Sequence, residues 1–177
     1  MFKQAYSLFL SPRGRIGRGV FIKAVLVWGV FYAAQYFWFE KTGTSNLNFY
    51  LSLALLILNI QVVFCIFGKR LHDFGRSTWA LIGLFALLLI IAIFVMLNFG
   101  GLEYFNTIME NPGLQSDPQA MKDVHQIYQD TLGENIPKSR ILMSILPVGF
   151  ILWLAVTPGQ ACDNRYGEPL NTGTKIM

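Results

Sequence analysis

Charge is what this sequence has least of. Only 14% of its 177 residues are Asp, Glu, Lys or Arg, against about 25% in an ordinary soluble domain. That leaves too little polar surface to clothe a water-soluble fold, and a hydrophobic share of 54% points to a membrane protein. Cysteine and histidine are scarce as well, two of each. Cys65 lies inside an apolar run and Cys162 in the C-terminal tail, which makes them two free thiols and no disulfide framework. His72 with Cys162 and Asp163 has no zinc-motif spacing, so no metal and no cofactor is expected. His125 falls in an acidic segment and reads as a surface residue. His72 and Asp73 are adjacent, so on a helix their side chains diverge. No nucleophile with a base is evident, and the expectation is a protein that is not an enzyme. Internal repeats and low-complexity tracts are absent. The net charge of +4 asks for an anionic neighbour, which for a membrane protein is most economically a lipid surface rather than nucleic acid.

What the chain does have is four long apolar runs: residues 19–39, 47–67, 79–97 and 141–157. About 20 residues of helix cross a ~30 Å hydrocarbon core, so the expected fold is an all-α membrane protein, a single membrane domain over 1–177 with four transmembrane helices. The first run ends in Gln35-Tyr36-Phe37-Trp38-Phe39 rather than a small-residue cleavage site and is followed by further spans, so it is read as a retained helix and not a signal peptide. The fourth is short and carries Pro147 and Gly149, which predict a kink rather than a break. Between the third and fourth runs, residues 98–140 hold Glu103, Glu110, Asp117, Asp123, Asp130 and Glu134 against Lys122, Lys138 and Arg140. Asp117 can cap a helix opened by Pro118, whose Met121, Val124, Tyr128 and Leu132 share one face. This predicts an amphipathic helix on the outer mouth of the bundle or in the interface.

Orientation follows from counting Lys and Arg. Lys3, Arg13, Arg15, Arg18, Lys69, Arg70, Arg76, Arg165 and Lys175 fall on one side, and Lys41, Lys122, Lys138 and Arg140 on the other. Both termini and the loop around His72 are therefore expected in the cytoplasm. That topology brings three stretches to one face: 13–18, 69–79 and 158–167. Together they hold seven cations against Asp73 and Asp163. Six of the seven are arginine, which favours bidentate contact with phosphate or carboxylate. The candidate anion-binding residues are Arg13, Arg15, Arg18, Arg70, His72, Arg76, Asn164 and Arg165. Asp73, Gly75, Trp79 and Tyr166 are the candidates for a structural clasp. The competing reading is a clasp of helix ends combined with the ordinary positive-inside signal. The leading functional reading is binding of an anionic lipid headgroup or an acidic partner segment, with a protein partner or homo-oligomer open. The alternative is a small transporter or channel, for which Gln35, Asn59 and Gln61 would line the path. Such amides more often hydrogen-bond a neighbouring helix.

These motifs carry a resemblance. Phe9 with Arg13-Gly14-Arg15-Ile16-Gly17-Arg18, then Arg70-Leu71-His72-Asp73-Phe74-Gly75-Arg76-Ser77-Thr78-Trp79, then Pro158-Gly159 with Asn164-Arg165-Tyr166-Gly167, resemble the signatures of the bacterial inner-membrane family called domain of unknown function 805. The resemblance implies a small multi-pass protein of the bacterial inner membrane with no established activity, and it implies no catalytic residues. Lys69, Thr78 and Cys162-Asp163 depart from the family's usual residues, and the segment 98–140 looks longer than in typical members.

Overall fold

The computed structural model describes residues 2–43 and 45–168. Lys175 and the side chain of Lys3, both counted in the orientation argument, lie outside the described residues. Helices α1 (Phe2–Phe9), α2 (Arg18–Thr42), α3 (Asn46–Asp73), α4 (Trp79–Met96), α5 (Leu102–Glu110) and α6 (Pro118–Val156) follow one another, with no strand among the described residues. A π-helical turn at Leu97–Gly101 joins α4 to α5, and a 3₁₀ turn at Pro112–Ser116 precedes α6. Among the described residues, four helical stretches are long and apolar enough to cross a membrane: Arg18–Thr42, Asn46–Asp73, Trp79–Glu110 and Pro118–Val156.

The chain divides into two compact units, one of residues 1–82 and 151–177, the other of residues 83–150. In the first, residues 43–45 are all that separates α2 from α3, so the two helices run back antiparallel. The turn is well specified. Gly43 takes a φ of 66° that suits glycine, and its N–H bonds Phe39 O at 3.2 Å. Ser45 then caps α3 by accepting from the Asn48 N–H at 3.1 Å. The core of this unit lies toward the other end of the hairpin. Phe21 meets Phe67 edge to face at 5.4 Å between ring centroids, and Ala24, Cys65, Ile66, Leu71, Leu81 and Leu154 are buried around them. Elsewhere the helices present apolar side chains outward on every side, among them Val30, Phe37, Leu47 and Leu53. A surface of that kind is stable against lipid and not against water.

In the second unit α4 continues past its apolar run. The chain bends at Phe99 and Gly100, where Gly100 has a φ of 105°, a kink with the usual causes of a π-turn and a glycine. Asp117 caps α6 as its sequence signature predicts, accepting from Gln119 N at 2.9 Å and Ala120 N at 3.2 Å. Three boundaries differ from the expectation, and the first is in the other unit: α3 runs on past 67 to Asp73 and carries Lys69, Arg70 and His72. The third helical path runs on to Glu110, and the outer amphipathic helix and the fourth span are one element, α6, with Pro137 and Pro147 inside it. Hydropathy falls between 98 and 140 while helical geometry does not, and proline inside a long helix forfeits a bond without ending it. Tyr128 of the stripe on α6 packs on α5, its ring centroid 5.0 Å from that of Tyr104.

Candidate functional site

Three helices, α1, α3 and α6, have their C-terminal ends close together in the first unit, and each helix end leaves carbonyl groups without intrahelical partners. The buried cations answer these carbonyls one helix at a time. Lys69 donates its Nζ to Ser7 O and to Leu8 O, at the C-terminal end of α1, the second at 3.1 Å. Arg70, 0% exposed, donates Nε to Leu154 O at 2.9 Å and Nη2 to Thr157 O, at the end of α6. Arg15 donates Nη2 to Asp73 O at 3.4 Å, at the end of α3. A positive charge at a helix C-terminus also complements the macrodipole.

Asp73 sits between the two arginines. Its Oδ1 accepts from Arg15 Nε and Nη2, both at 3.2 Å, and its Oδ2 accepts from Arg70 Nη1. Arg15 also reaches the tail, giving Nη1 to Cys162 O at 3.2 Å and Gly167 O at 3.1 Å, and Nη2 to Gln160 O at 2.6 Å. All its nitrogens are thus engaged inside the protein. Arg70 completes its set with Ile16 O at 3.4 Å and lies 4.5 Å over the Phe74 ring, a ring that in turn packs on Trp153.

The loops that present these groups have their own local causes. α3 ends in a Schellman motif, with Arg76 N bonding Leu71 O at 2.9 Å and Gly75 N bonding His72 O at 3.0 Å. Gly75 has the φ of 72° that the motif requires. The tail docks through Gln160 N to Asp73 O at 2.8 Å and through Asn164, whose Nδ2 donates to His72 O and to Gln160 Oε1, each at 3.0 Å. Asn164 Oδ1 accepts from Tyr166 N at 2.9 Å, which closes an Asx turn. The reciprocal backbone bonds between Asn164 and Gly167 tie the same four residues. His72 stacks flat on Tyr166, 3.8 Å between centroids at 8°. Its Nδ1 faces Gly14 O at 3.2 Å, so Nδ1 carries the proton, since a carbonyl can only accept.

The structure therefore brings Arg15, Arg70, His72, Asp73, Gly75, Asn164 and Tyr166 into one network, and stacks Arg165 on Tyr166 at 4.7 Å. Arg13, Arg18 and Arg76 are exposed around it and form no ion pair among the described residues. Trp79 is 73% exposed at the start of α4 and takes no part. Lys69, bonded to the end of α1, and Gln160 and Gly159, against Asp73, are contact positions that stand outside the candidate residues. A Cβ at Gly159 would overlap the Asp73 carboxylate, and the sequence signal available for it was its place in Pro158-Gly159. Of the amides in the spans, Asn59 bonds Gln35 and Trp28, while Gln61 bonds Leu10 O at 3.2 Å. No group of three metal-ligating side chains occurs among the described residues. A family model described as a protein of unknown function, DUF805, matches residues 9–168. No curated protein and no solved structure matches the chain.

Proposed function

We propose, for a chain that belongs to the DUF805 family of unknown function, that it is a multi-pass protein of the bacterial inner membrane whose basic face binds an anionic lipid headgroup from the cytoplasmic side. The observation that carries this reading is a division of labour among the cations. Arg15, Lys69 and Arg70 are buried and spend their donors on helix-end carbonyls and Asp73, whereas Arg13, Arg18, Arg76 and Arg165 are exposed. The inner set neutralises the fold from within and the outer set is left to attract phosphate. Arginine near an anionic membrane surface is worth about 1 kcal/mol per side chain, so three or four make a usable headgroup site without any catalytic chemistry.

The test is thermal stability in neutral detergent with added phosphatidylglycerol or phosphatidylcholine. The wild type gains more from the anionic lipid. A triple variant, Arg13→Gln with Arg18→Gln and Arg76→Gln, keeps its melting temperature in detergent alone and loses most of that gain, about 3 kcal/mol of binding in all. Arg15→Gln lowers the melting temperature with or without lipid. If the triple variant gains as much as the wild type, the exposed arginines serve only as a topology signal.

A further inference from the structure

The α2–α3 hairpin carries a polar ladder whose sense is fixed by its first member. The Trp28 indole nitrogen can only donate, and it donates to Asn59 Oδ1 at 2.9 Å. That sets the Asn59 amide, so its Nδ2 donates to Gln35 Oε1 at 2.9 Å and to Leu55 O at 2.8 Å. The Gln35 amide is set in turn, with its oxygen used as acceptor and its nitrogen left over. Gln35 Nε2 is buried and has no partner among the described residues.

Gln35 lines an open cavity of about 420 Å³ between the two helices, together with Tyr32, Tyr36, Glu40, Ser52 and Asn59. A buried N–H without a partner is costly, and in a membrane no bulk water reaches it. Gln35 stands seven residues before Thr42, the last residue of α2, which is about 10 Å of helix rise from the turn. The last three residues of that rise lie beyond the apolar run 19–39, so with a ~30 Å hydrocarbon core over the run Gln35 stands about 6 Å inside its edge, within reach of the ester carbonyls of the lipids. No Lys or Arg lines the cavity, so nothing in it selects an anionic headgroup, and it is a different site from the basic face.

We propose that this cavity seats the glycerol-ester region of a membrane lipid, with an ester carbonyl accepting from Gln35 Nε2. The cavity then reads the backbone of the lipid and not its head. An ether-linked lipid of the same headgroup and chains offers no carbonyl and loses that hydrogen bond.

The experiment is a competition in neutral detergent between diester and diether phosphatidylcholine of matched chains, read by native mass spectrometry of the intact protein. The wild type retains the diester about three- to tenfold over the diether, the ratio expected of one hydrogen bond. Gln35→Leu brings the ratio to one. Ser52→Phe fills the cavity without touching the ladder and does the same, which keeps the test decisive if Gln35→Leu folds poorly. Equal retention of the two lipids by the wild type, or a diester preference that survives both substitutions, overturns the proposal. The lipids carry no net charge, so either result is independent of how the basic face behaves toward phosphatidylglycerol.

Discussion

Asp73 is a single carboxylate held by two guanidinium groups in a site where all three side chains are buried. Such a pair need not be more stable than an apolar substitute, but removing one member strands the others. Asp73→Asn keeps the shape and removes the charge, leaving Arg15 and Arg70 facing each other, and is expected to destabilise the protein by about 3 to 5 kcal/mol in an SDS-unfolding titration from mixed micelles. Gly159 belongs to the same site by contact alone, because a methyl there collides with the carboxylate. Gly159→Ala is therefore expected to be severe in the wild type and mild in an Asp73→Ala background, a coupling that a double-mutant cycle measures. Equal costs in both backgrounds would place the effect of Gly159 in the backbone rather than in contact with Asp73. The sequence made Asp73 legible, since it stands alone among cations. It could not choose Arg15 over Arg18, because that depends on where α2 begins, nor show that carbonyls at three helix ends would consume the donors of Arg15, Lys69 and Arg70. Counting charges left them as surplus because carbonyl acceptors carry no charge to count.

At the scale of elements, a capped helix start was more legible than helix lengths. Asp117 before Pro118 is a chemical signal whose geometry is local, and it is found in use, whereas α3 ends at Asp73, beyond the apolar run that closes at 67. The extents of α5 and α6 depend on what the chain does where hydropathy is low, which no single residue announces. Met121, Val124, Tyr128 and Leu132 share one half-buried face, and what Val124 and Tyr128 meet there is α5, a short helix between two turns. Tyr128 is the centre of that contact, lying against Tyr104 and lining a cavity with Gly100, Val124 and Thr131. Replacing Tyr128 with Ala should loosen α5 by about 3 kcal/mol. Amide exchange measured in lipid nanodiscs would then speed up over residues 102–110 and stay unchanged over 18–42. Unchanged exchange over 102–110 would mean that α5 is held by something other than its packing on α6.

At the scale of the whole molecule the question is sidedness, and geometry bears on it through the placement of charge. α1, α3 and α6 end, and α2 begins, around the clasp, so its cations sit at helix termini rather than at mid-span. That is where a positive-inside signal is read, within a few residues of each span. Lys69 and Arg70 satisfy carbonyls in the folded protein, and the same group is expected to bias insertion toward the cytoplasmic side. The α2–α3 end of the hairpin, by contrast, carries a single Lys or Arg, Lys41, which leaves little bias there. Both termini are therefore expected in the cytoplasm, with Ser77 on the same side and Ser116 on the other. Cysteine scanning in cells checks this once Cys65 and Cys162 are replaced by Ala, the second being exposed and able to react itself. A cysteine at Ser116, which is exposed on the 3₁₀ turn before α6, should react with an impermeant maleimide added to whole cells. A cysteine at Ser77 should react only after the membrane is permeabilised. The opposite pattern would invert the topology and put the basic face, with its proposed headgroup site, outside; labelling of both from outside would mean that one of the four apolar helices does not cross.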